Sequence, residues 1–82
     1  MKKMILLQIE FAEKEIRETE NIIRSRIKQD GLSVLKSINI QRMLAKLNHF
    51  RGYREAMQIC LRELEERENS ELEKMYEEQN NI

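Results

Sequence analysis

No proline interrupts this chain of 82 residues, and its two glycines stand at positions 31 and 52. Proline and glycine are the residues most costly to a helix interior, so the long stretches around these two positions carry no local instruction to stop. Charged residues make up 37% and aromatics 5%, a balance that belongs to long helices. The chain is expected to be all-α and, at this length, a single domain over residues 1–82.

Apolar residues Ile5, Ile9, Ala12, Ile16, Ile23 and Ile27, with Thr19 in the gap, recur at steps of three, four and seven. That spacing puts them on one helical stripe. Glu10 with Lys14, Glu13 with Arg17, and Glu20 with Arg24 place acid four residues before base on the outer face, each supporting the helix by a few tenths of a kcal/mol. A first helix is predicted over about 3–29. Gly31 follows a basic last turn (Arg24, Arg26, Lys28), the usual left-handed stop, so the chain should reverse over about 30–33.

A second helix is predicted over about 34–78, starting near Ser33, although Ser37 and Asn39 also suit a cap. Its stripe, Ile40, Met43, Leu47, Phe50, Arg54, Met57, Leu61 and Leu64, alternates steps of three and four as a coiled-coil seam does. Arg54 alone breaks it, either packing its stem while its head reaches the edge or a Glu, or fixing the register. Beyond Leu64 the pattern slips to Leu72, Met75 and Tyr76 among accumulating Glu, and the end is expected to fray before Asn80, Asn81 and Ile82.

The reading is therefore an antiparallel two-helix hairpin with a coiled-coil-like seam, dimerising into a four-helix bundle. Leu44, Tyr53 and Cys60 widen the apolar arc beyond a two-helix contact, and Gly52 with Ala56 is read as a point where a neighbouring backbone comes close. Small scaffolds without disulfide or metal seldom exceed about 3–5 kcal/mol from one core. The candidate bundle or dimer core is Ile9, Ile16 and Ile23 on the first helix, with Ile40, Leu47, Phe50, Met57, Leu61 and Leu64 on the second.

Chemistry has little to stand on. His49 is the one histidine and Cys60 the one cysteine, eleven residues apart and off each other's helical face. An ordinary zinc site needs about four ligands, a di-metal bundle needs Glu-x-x-His, and a phosphate loop needs glycines; none is present. No catalytic residue, metal or cofactor is assigned, and the chain is read as no enzyme. One cysteine, and no targeting or membrane-spanning segment in the sequence, point to a reducing compartment, by default the cytoplasm. Heavy use of Ile, Lys, Asn and Glu suits bacteria and their phages.

Charge is the informative irregularity. The chain holds fifteen basic and fifteen acidic residues, but residues 24–54 carry eight basic against Asp30 alone, and residues 55–82 carry nine Glu against three basic. Folded at Gly31, the molecule has a positive hairpin tip and a negative open end. Two functions follow from different classes. The first is a small protein–protein interaction module, an adaptor, assembly factor or inhibitor, that self-associates as a dimer and docks on another protein. The second is an RNA- or DNA-binding regulator using the basic tip, with aromatic residues interleaved among cations. The candidate contacts for either are Arg42, Lys46, His49, Arg51, Tyr53 and Arg54. No membrane partner is expected.

Overall fold

The computed structural model describes residues 1–80. Helix α1 spans Lys2–Asp30 and helix α2 spans Ile38–Asn80, joined through a 3-10 turn, Leu32–Lys36. Lys2 reaches Glu65 while Glu20 meets Arg51, so the helices run antiparallel. There is no strand among the described residues. The fold is an all-α hairpin drawn out into a rod of 72 × 17 × 15 Å.

The reversal is built at Gly31. Its N–H donates to the Ile27 carbonyl at 2.8 Å, closing the last turn of α1, while φ 81° and ψ 179° turn the chain away. Positive φ with extended ψ is a region that glycine alone enters without strain. The stop falls where the sequence places it, but the backbone leaves extended instead of left-handed helical.

The predicted start of the second helix, about residue 34, needs correction. Leu32–Lys36 is a 3-10 turn and Ser37 is extended, so α2 begins at Ile38. Ser37, rather than Ser33, is the cap: its Oγ accepts from the Ile40 N–H at 3.2 Å. The Gln41 side-chain amide donates to the Leu35 carbonyl at 2.7 Å and ties the connector to the first turn of α2. The tight turn is favoured because it folds both Val34 and Leu35 against the core. At the far end α2 continues to Asn80, past the predicted limit near 78. The expected fraying at Asn81 and Ile82 lies outside the described residues.

The core sits in the closed half of the hairpin. Ile16, Ile23, Ile40 and Leu47 are buried together, and Ile40 is wholly inaccessible. Ala12 and Thr19 are buried in α1 as well, and no buried side-chain polar atom among the described residues lacks a partner. Toward the open end the same seam loosens: Ile5, Ile9, Met57, Leu61 and Leu64 are only half-buried.

Candidate interaction surface

The six contact residues picked from the sequence do not form one patch. Arg42, Lys46, His49 and Tyr53, at steps of four, three and four, share one flank of α2. On that flank the Lys46 ammonium lies 3.1 Å from the Glu15 carboxylate, and the Tyr53 hydroxyl donates to Gln8 Oε1 at 2.8 Å. Arg51 faces the opposite flank, where its guanidinium donates to Glu20 at 3.0 Å and Arg24 shares the same carboxylate. Arg54 lies half-buried on the seam, and among the described residues it makes no salt bridge. His49 is exposed and packs edge-on against Phe50, ring centroids 5.4 Å apart.

Of the three outer-face pairs read from the sequence, only Glu20–Arg24 closes to within salt-bridge distance among the described residues, at 3.7 Å. Gly52 stands in open space, with nothing within 4 Å of where a Cβ would sit. The close approach expected there does not occur within this chain.

What the sequence reading missed is a second apolar stripe on α1. Met4, Leu7 and Phe11 are about half exposed or more, and Ile22 continues their face. The signal was present as doublets, Met4-Ile5, Phe11-Ala12 and Ile22-Ile23, in which the second residue enters the seam and the first lies one step round the helix. Phe11 meets Phe50 edge-on at 5.9 Å, which places this stripe on the Lys46–Tyr53 flank. Farther along the same face, Asn21, Ile22, Ser25, Arg26 and Gln29 line a shallow groove near the tip.

A third apolar group lies on α2 beyond the reach of α1. Lys2, the first residue of α1, pairs with Glu65 and Glu68, and every side chain described beyond Leu64 is exposed. The last three turns of α2, about 18 Å of helix, have no α1 opposite them. They still carry the seam: Leu72, Met75 and Tyr76 recur at three and four and are 63%, 59% and 68% exposed. The total accessible surface is 6940 Å², whereas a compact monomer of 10 kDa exposes about 5,200 Å².

Among the described residues no group of three His, Cys, Asp or Glu gathers to hold a cation. Cys60 is an exposed free thiol. Neither helix is long and apolar enough to cross a membrane. Comparison with protein-family models, with curated proteins and with solved structures finds no match to this chain.

Proposed function

We propose that this chain is a small non-enzymatic protein–protein interaction module, an adaptor, assembly factor or inhibitor, that acts in the cytoplasm as a self-associating helical bundle. The observation that carries this reading is the set of uncovered apolar residues on two faces, Met4, Leu7 and Phe11 on α1 and Leu72, Met75 and Tyr76 on α2. Contiguous exposed apolar surface on a soluble chain marks a contact site. The excess over compact surface, about 1,700 Å² per chain, is about twice the 800 Å² or so that one partner contributes to a standard protein interface. Two hairpins side by side make a four-helix bundle and cover much of it.

Sedimentation equilibrium across micromolar concentrations tests self-association, with an expected mass of twice 10.0 kDa. Affinity capture from the native host should then return a protein. A single subunit that melts cooperatively at micromolar concentration would overturn the reading.

Nucleic-acid binding is the second reading. Arg26, Lys28, Lys36 and Arg42 favour it, being cations near the tip with no salt bridge among the described residues. It is weakened by Lys46 and Arg51, which lie on opposite flanks and are each held by a carboxylate of α1.

A further inference from the structure

We infer that the occupant of the exposed α1 stripe is a second copy of this chain, laid antiparallel about a two-fold axis beside Leu7, with the free end of each α2 seated on the basic tip of the other. This rests on the self-association proposed above and specifies its geometry. Shape, charge and register each favour it.

Shape fixes the centre. Met4, Leu7 and Phe11 are the densest exposed apolar stretch on α1. An isologous contact must be self-complementary. Antiparallel pairing about Leu7 sets each Leu7 against its counterpart and each Met4 beside the other copy's Phe11, so apolar meets apolar along the whole stretch.

Charge fixes the sense. On the flank that carries this stripe, the tip presents Arg26, Arg42 and Lys46, with Glu15 held by Lys46. The free end presents Glu71 and Glu78 on that same flank with Lys74 between them, and beyond Leu64 seven Glu against Arg67 and Lys74 leave it net negative. Parallel hairpins would stack tip on tip and acid on acid. Hairpins joined only through their free ends would set Glu71, Glu73, Glu77 and Glu78 of each copy against the same residues of the other. The antiparallel overlap alone brings opposite charges together at both ends, and like-charge juxtaposition is what rejects the others.

Register then supplies a coincidence that neither shape nor charge demanded. In opposed pairs across the hairpin the two residue numbers add to 61 on one flank, as for Gln8 with Tyr53, Phe11 with Phe50 and Glu15 with Lys46. On the other flank they add to 67–71, as for Lys2 with Glu65 and Glu20 with Arg51. Continuing the midline of that register past the start of α1, and reflecting it through the axis at Leu7, sets Leu72 of one copy level with about Ile22 of the other and Tyr76 level with about Arg26. Those positions are the shallow groove of Asn21, Ile22, Ser25, Arg26 and Gln29. The uncovered seam of α2 arrives where α1 has an apolar residue, an open groove and a cation.

The test uses the full chain with Cys60→Ala, so that each introduced thiol is the only one, together with a short bismaleimide cross-linker. Leu7→Cys chains should link to one another, Leu72→Cys chains alone should not, and a mixture of Leu72→Cys with Ile22→Cys chains should link across copies. All three positions are exposed, and circular dichroism verifies that each variant stays helical. A dimer in which Leu72→Cys chains link to themselves, or Leu7→Cys chains fail to link, overturns this geometry and leaves self-association standing. A monomer overturns both. Reversing Glu71→Lys with Glu78→Lys should weaken the dimer about tenfold, and adding Arg26→Glu with Arg42→Glu should restore it. Failure of the restoration also overturns the arrangement.

Discussion

The Ser37 hydroxyl oxygen accepts the backbone N–H of Ile40 at 3.2 Å, and Ile40 is, among the described residues, the one large side chain that solvent does not reach at all. A cap and a core residue three positions apart thus fix the same event, the entry of α2. The 3-10 turn before them holds Val34 and Leu35 on the core only because Ser37 ends that turn extended and lets the α-helix restart. Substituting Ser37→Ala removes the cap and should cost about 1 kcal/mol. Thermal melts at matched chain concentration should show a midpoint lower by about 4–8 °C. An unchanged midpoint would mean that Gln41, through its bond to the Leu35 carbonyl, holds the joint unaided.

The two glycines should respond with opposite signs. Gly31 sits at φ 81°, where an L side chain is strained, and Gly31→Ala should destabilise by about 1–2 kcal/mol. Gly52 is in helical conformation with free space around it, so Gly52→Ala should stabilise by about 0.5–1 kcal/mol. Urea titrations of the two variants beside the parent chain measure both. The Gly52 result also reads the bundle: a loss on Gly52→Ala would reveal another copy's backbone packed on that face.

How much of this was legible in the sequence differs from end to end of the rod. The seven-residue spacing of Ile16 with Ile23, and of Ile40 with Leu47, predicts one stripe on each helix because helical period alone decides which residues share a face, and these four are buried together. The reversal at Gly31 was legible for the same local reason. The connector was not, since Ser33, Ser37 and Asn39 all have capping chemistry and the choice among them is made by tertiary packing of Val34 and Leu35. The second stripe on α1 escaped because Met4, Phe11 and Ile22 each adjoin a seam residue. Arg51 and Lys46 looked like one basic patch because sequence proximity does not say that they stand on opposite flanks, and their partners Glu20 and Glu15 come from a helix that folds back 31 residues away.

That separation bears on nucleic acid. A phosphate-binding tip needs cations free to release counterions together, and two of the candidates are already paired to carboxylates of α1. Electrophoretic mobility of labelled single-stranded RNA and duplex DNA at low salt should be unchanged by the chain up to micromolar concentration. A retarded band that fades steeply with salt, and fades further on Lys46→Glu with Arg51→Glu, would favour the nucleic-acid reading instead.

The closed half and the free end of the rod should also differ in what stabilises them. Leu47 is 5% exposed within the core of a single hairpin, so Leu47→Ala leaves a cavity and should cost about 2–5 kcal/mol, at high and low chain concentration alike. Tyr76 is 68% exposed on an unaccompanied stretch of helix, so Tyr76→Ala removes little from the lone chain and acts on association. Isolated helical segments of three turns are marginal in water, and amides there exchange near their intrinsic rates unless something packs on them. Hydrogen exchange should therefore show residues 38–50 protected at every concentration, while residues 70–79 gain protection only as the chain is concentrated and lose it again on Tyr76→Ala. Protection of that segment independent of concentration would place its stabiliser within the single chain and remove the free end from the interface.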